Sequence, residues 1–335
     1  MGARLESHNT PRYRFVRRFA AGGVAELFVG ERARDSDRGR AGERVVLKRL
    51  LPHLRNDPEM AGMLRDEIRL GLACRHPNLV ATLDSWAYQG QLHGVLEYIE
   101  GQDLRSLTAG LLANDDRFSL GEAVLVCLSL CRGLHHLHGL RVGASELSVV
   151  HRDVTPPNVL LGVDGSLKLC DLGFAKSKLQ RTRTAPGLIK GKFSYLSPEA
   201  AHGEAIDARA DVFAVGIVLW EMLTMRRLFH APTDFGTVEL VRRAEIPALL
   251  PLNDEADTVL QEIVGRALAR DPDQRFQSAK DLHDALMAYA DYRELDGDIA
   301  ALVTRGRFGA AHQAVFALGS SAAAEQNHDE VETIW

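Results

Sequence analysis

Cysteine is scarce in this chain. Four residues among 335, Cys74, Cys127, Cys131 and Cys170, carry thiols, and none forms a CxxC pair. That pattern excludes the disulfide framework of a secreted scaffold and points to a reducing cytoplasm. The opening MGARLESHNTPRYRF is polar and basic, without the apolar stretch of a signal peptide, and MGARLE lacks the Ser or Thr of a myristoylation signal. Export is therefore not expected. Long hydrophobic runs are missing too: the longest, 212–220, is roughly half of the ~20 residues that a bilayer span needs, so it reads as a buried helix and no membrane span is expected. Nor is positive charge in excess. Lys and Arg number 40 against 45 Asp and Glu, a net charge of -5 with a pI near 6.2, which leaves no global basic field for nucleic acid or an anionic membrane. No internal repeat is visible.

What is present is ordinary globular composition, 46% hydrophobic and 25% charged, with length for one two-lobed domain or two small ones. Residues 13–97 favour strands: RFVRRF, AELFVGE, RVVLKRL, LVATLDSWAYQ and QLHGVLEYIE are separated by Gly-rich or charged turns. One amphipathic helix, 58–75, begins on proline and ends at HPN. After Gly101 the pattern turns helical. A capping box, Ser119 with Glu122, opens a helix running to about 139, and helix-rich blocks follow over 205–225 and 258–292. Between them lies a loop-rich centre, 149–200, of a length that is unusual unless it is functional. The last stretch, 293–335, is Ala-rich with an acidic end, and reads as one weak helix and a disordered terminus.

The centre holds HRDVTPPNVLL, CDLGFAK and SPEA, in that order. A lone Asp in a loop is usually a turn residue; an ordered set at these spacings is not. The three segments resemble the catalytic loop HRDxxxxN, the DFG metal motif and the APE motif of protein kinases, through His151, Arg152, Asp153 and Asn158, then Asp171, Leu172 and Gly173, then Ser197, Pro198 and Glu199. Leu for Phe and Ser for Ala are the departures. Phosphoryl transfer asks chiefly for alignment and charge neutralisation. The resemblance accordingly implies Mg²⁺ held by Asn158 and Asp171, with Asp153 orienting the substrate hydroxyl and accepting its proton. In VVLK, Lys48 matches the lysine that contacts the ATP phosphates, and Glu67 matches the helix glutamate that orients it. Asp66 competes for that place, and HPN decides for Glu67. FAAGGVAELF is an eroded glycine loop: Ala20, Gly22 and Ala25 stand at the GxGxxG positions, with Gly23 as an extra glycine. LEYIEG resembles the hinge, with Leu96 as gatekeeper, backbone groups of Glu97 and Ile99 at the adenine edge, Leu27 and Val46 above the ring and Leu160 below it. Asp211 resembles the aspartate that braces the catalytic loop, and Arg275 the arginine paired with Glu199.

The implied fold is α+β and two-lobed: an N-terminal extension over 1–12, a kinase domain over 13–290 and a partly helical tail over 291–335. Within the domain, 13–98 forms a small antiparallel sheet with one helix, and 99–290 a larger, mainly helical lobe. The implied function is ATP-dependent transfer to Ser/Thr hydroxyls of protein substrates, most like bacterial kinases of eukaryotic type. TPP in the catalytic loop does not match the AAR typical of tyrosine kinases. Lys is absent two residues after Asp153, where Thr155 stands, and Lys192 occupies a place where the family usually has Thr. That exchange suggests an ammonium supplied to Asp153 or the γ-phosphate from the other side. Ser177, Thr182 and Thr184 lie in a basic activation segment, and a phosphate on either Thr would pair with Arg152. A regulatory partner is expected to act through the tail or this segment. The competing reading is a pseudokinase scaffold, supported by the eroded glycine loop and Thr155; a small-molecule phosphotransferase is disfavoured by SPEA and Arg275. The trio His135, His136 and His138 has no acidic or Cys partner nearby in sequence and is not read as a metal site.

Overall fold

Short apolar-rich runs separated by Gly-rich or charged turns mark the first hundred residues, and strands follow. In the computed structural model β1 (Tyr13–Ala21), β2 (Ala25–Arg32), β3 (Arg44–Leu50), β4 (Thr82–Tyr88) and β5 (Gln91–Glu97) form one antiparallel sheet in the order β1-β2-β3-β5-β4. The structure describes residues 11–37, 39–142, 145–146, 149–171 and 193–307. The chain divides into two compact units, the first of residues 1–72 and 81–98, the second of 73–80 and 99–335.

Residues opposed across antiparallel strands share a face. The pairs Leu27↔Lys48 and Val46↔Leu96 therefore put these four side chains on one side of the first sheet. The other side carries Phe28 opposite Leu47, Leu47 opposite Val95, and Trp86 opposite His93. On this side the sheet rolls until its outer strands meet. Tyr13 Oη of β1 donates to Asp84 Oδ2 of β4 at 3.0 Å, the Tyr13 and Trp86 rings stand 5.4 Å apart, and both side chains are buried. Helix α1 (Pro58–Ala73) crosses between β3 and β4.

The second unit is built on helices α2 (Leu104–Ala113), α3 (Leu120–His138), α4 (Pro198–His202), α5 (Ala208–Thr224), α6 (Asp234–Arg243), α7 (Thr258–Ala267), α8 (Ala279–Arg293) and α9 (Ile299–Arg305). The capping box at α3 forms as expected: Ser119 Oγ accepts from Glu122 N, and Glu122 Oε2 accepts from Ser119 N. Helix α5 is buried from Ala210 to Thr224, as its nearly uninterrupted apolar sequence requires. Among the described residues α3 is the one helix long and apolar enough to cross a bilayer; 78% of its apolar window is buried inside the unit, the setting of a core helix. The sequence had singled out only the shorter run in α5.

Over residues 149–171 and 193–200 the loop-rich centre is more ordered than its composition implies. Strands β9 (Val159–Gly162) and β10 (Leu167–Leu169) pair there, joined by β6 (Gly101–Asp103) in the order β10-β9-β6, and a 3₁₀ turn spans Pro156–Asn158. A separate two-residue pair, β7 (Arg141–Val142) with β8 (Ser145–Glu146), precedes it. The expected helical block 258–292 is two helices, because the Pro272–Gln274 turn, capped by Asp271, interrupts it. Beyond residue 290 the chain continues as a packed element: Ile299, Leu302 and Val303 of α9 are buried.

Arg275, at 1% exposure, joins α4 to this framework. Its guanidinium meets Glu199 in a two-bond fork, 2.9 Å to Oε1 and 2.8 Å to Oε2, lies 4.7 Å from the Phe213 ring centre, and donates to the carbonyls of Ala269 and Arg270. Removing one partner of such a buried pair strands the other charge. Glu199→Ala is expected to lower unfolding free energy by about 3–5 kcal/mol in urea titrations. Asp273→Ala, at an exposed ion pair with Arg209, should cost about 0.5 kcal/mol or less.

Candidate active site

Lys48 points from the face of β3 shared with Leu27, Val46 and Leu96, at 7% exposure. An ammonium so enclosed needs a counter-charge. Glu67, from the middle of α1, provides it, with Oε1 2.5 Å from Nζ. The register favoured from the HPN spacing is the one that forms. The turn between β1 and β2 is a tight hairpin, closed by Gly22 N donating to Ala25 O at 2.8 Å. Ala20 and Ala25 sit in paired strand positions, opposite Leu27 and Leu50, where a Cβ brings no backbone strain. Gly23 lies within the turn. Glu97 is tied to the strand entry twice: its N–H donates to Ala81 O at 3.0 Å, and its Oε1 accepts from Ala81 N at 2.6 Å.

In the second unit the catalytic-loop residues are fixed by one carboxylate. Asp211, in the first turn of α5, accepts from His151 N and Arg152 N, each at 2.8 Å, and from His138 Nε2 at 2.7 Å. Taking two successive N–H groups turns the backbone sharply, and Arg152 sits at φ 66°. For a non-glycine residue that conformation costs about 1–2 kcal/mol. Asp171, at φ 63°, is a second such residue. Strained backbone of this kind gathers at functional sites.

Asp153 and Asn158 are brought together by the 3₁₀ turn between them. The Asn158 amide donates to Asp153 O at 2.8 Å and to Asp153 Oδ2 at 2.7 Å, which commits its two protons and leaves Oδ1 as the remaining donor atom for a cation. Cys170 N donates to Asn158 O, so Asp171 follows directly on a backbone link to Asn158. A carboxylate and an amide oxygen are hard ligands suited to Mg²⁺. Leu160 is buried in β9, next to β6 through the pair Asp103↔Leu160. Ile99 is half-buried at the start of the second unit. Thr155 is buried and precedes the turn without capping it through its side chain. Leu172, Gly173, Ser177, Thr182, Thr184 and Lys192 lie outside the described residues.

Residues 34–287 match the family model described as the protein kinase domain. The chain belongs to the protein kinase family. Among curated kinases it is 35% identical over 279 residues to tyrosine-protein kinase MasK of Myxococcus xanthus, covering 83% of this chain and 43% of that one. It is 29% identical over 273 residues to serine/threonine-protein kinase PrkC of Bacillus subtilis, covering 81% of this chain and 39% of PrkC. The chain thus spans about two-fifths of the length of these kinases. The kinase domain of Mycobacterium tuberculosis PknI has the same fold, with a TM-score of 0.60 at 22% identity over 85% of this chain and 98% of that one.

One contact at this site was not foreseen from sequence. His138 belonged to a trio not read as a metal site for want of a nearby acidic partner, and it donates to Asp211; the two are 73 positions apart, and no local spacing signals them. His136 instead stacks on His76, with ring centres 5.1 Å apart. Cys127 and Cys131 pack as small apolar residues, and burial pushes both thiols far up.

Burial by itself raises the Asp211 carboxyl, but the hydrogen bond and charge of His138 and the N–H of His151 hold it below the usual range. A carboxyl depressed in the folded state adds stability above its unfolded value, near 3.9 for Asp, and loses it as pH falls through the folded value. The stability gap between the native chain and Asp211→Asn should therefore be widest near neutrality and narrow below about pH 4. Urea midpoints between acid and neutral pH measure it.

Proposed function

We propose that the chain transfers the γ-phosphate of ATP to serine and threonine hydroxyls of protein substrates, including its own activation segment. The Lys48–Glu67 ion pair carries this reading, because a scaffold has no need to hold a buried ammonium at a strand face. In the reading, Lys48 binds the α- and β-phosphates and Glu67 orients it. Leu27, Val46, Leu96 and Leu160 contact adenine, backbone groups of Glu97 and Ile99 meet its edge, and Ala20, Gly22, Gly23 and Ala25 supply the phosphate loop. Asp153 takes the hydroxyl proton, its position held by Asn158. Mg²⁺, on Asn158 and Asp171, would neutralise charge on the transferring phosphoryl group. Lys192 supplies the ammonium missing at Thr155. Input arrives through a protein partner at the tail or the activation segment.

Similarity to PrkC, named a serine/threonine kinase, supports the acceptor class. Similarity to MasK, named a tyrosine kinase, favours tyrosine as the second reading. Incubation with labelled ATP and Mg²⁺, with a generic basic protein as acceptor, tests both. The native chain should incorporate label, and Asp153→Asn and Lys48→Met should lose at least about a hundredfold. Phosphoamino-acid analysis should yield phosphoserine and phosphothreonine, with Thr182 or Thr184 among the mapped sites; phosphotyrosine alone would establish the second reading, and no label with no nucleotide bound would leave a scaffold. Lys192→Met should lower transfer, and adding Thr155→Lys to it should restore part of the loss.

A further inference from the structure

Helix α9 lies beyond the residues that match the kinase family, 34–287, yet its Ile299, Leu302 and Val303 are buried. The segment leading into it touches α3 backbone to backbone: a Cβ at Gly121 would stand 1.7 Å from Asp296 O. Its far end touches α2 in the same way, since a Cβ at Gly110 would stand 2.0 Å from Gly306 O. Side chains then cap the end. Gln102, 6% exposed in β6, donates to Val303 O at 3.3 Å and Gly306 O at 3.2 Å, and Asn114, after α2, donates to Arg305 O at 2.9 Å. Arg305 spans Asp116 at 2.9 Å and Glu122 at 2.6 Å and donates to Arg117 O.

The elements so gripped adjoin residues that the functional reading assigns to nucleotide, Ile99 and Leu160. Gln102 stands three residues after Ile99 and one before Asp103, which caps α2 through Ser106 N. Its strand pairs with β9 through Gln102↔Leu161 and Asp103↔Leu160. We propose that residues 294–306 form a strap that positions the segment 99–103 and Leu160 for nucleotide, with Gln102 and Arg305 as positioning residues. The proposal rests on the assignment of Ile99 and Leu160 to adenine. Helix α9 does not touch the nucleotide; it fixes the backbone that does. A loosened strap therefore weakens ATP binding and leaves the phosphoryl-transfer step intact.

Gly110→Ala tests this without altering any polar group. Alanine is the better helix former inside α2 by about 1 kcal/mol, so α2 should persist while the end of α9 is displaced. Arg305→Ala releases the same end by a different route. Amide hydrogen exchange over 294–306 should quicken in both variants, with KM for ATP rising roughly two- to thirtyfold and kcat staying within about twofold of the native chain. Arg209→Ala, at an exposed ion-pair network in the same unit, should change neither constant. Release of the strap with KM unchanged would reduce α9 to packing and overturn the proposal, as would unchanged exchange in both variants. A native chain that binds no ATP would overturn the functional reading and this proposal with it, and is recognised before any variant is made.

Discussion

Asp211 is 1% exposed at the start of a helix whose other side chains are almost all apolar, and a carboxylate so far from water persists only when donors meet both of its oxygens. Three donors do so. Two are successive backbone N–H groups of the catalytic loop, and the third is an imidazole from α3. The dependence runs both ways. The loop provides what the carboxylate needs to remain buried, and the carboxylate holds Arg152 in a conformation that a free chain would leave. Asp153 is the next residue, so its placement descends from the packing of α5.

The same economy governs the other charges held inside. Arg275 reaches 1% exposure because Glu199, two carbonyls and the Phe213 ring face it. Glu221 on α5 is bonded by Tyr195 Oη at 2.6 Å and approached by Arg227 at 3.2 Å; burial keeps its carboxyl raised despite them. Buried charges of this kind add little net stability but are costly to break. They fix α4, α5 and the residues before α8 in one arrangement, and the catalytic loop inherits that rigidity.

Much of this was legible in the sequence because local chemistry repeats with fixed spacing. Glu67 could be chosen over Asp66 from the distance to HPN, and Asp153, Asn158 and Asp171 from motif order. The five strands showed as β-type segments broken by Gly-rich or charged turns, and the capping box at Ser119 and Glu122 announced a helix start. What escaped depends on contacts between distant positions. His138 looks like its neighbours His135 and His136 until Asp211 is brought to it. Helix α9 has seven residues, too few to be stable by propensity, and it forms because Gln102, Asn114 and Glu122 await it almost two hundred residues earlier. The rolled sheet was hidden likewise, since nothing near Tyr13 announces Asp84.

The thiols have a use that their burial suggests. All four cysteines are buried, and all four fall in the second unit; the first unit, residues 1–72 and 81–98, contains none. Burial pushes the Cys74 thiol up to about 11, and Cys131 further still, so these side chains react with alkylating reagents only when the surrounding structure opens. The native sequence is thereby its own sensor for one half of the molecule. Trapping of Cys127 and Cys131 by iodoacetamide counts openings around α3, inside the helical unit.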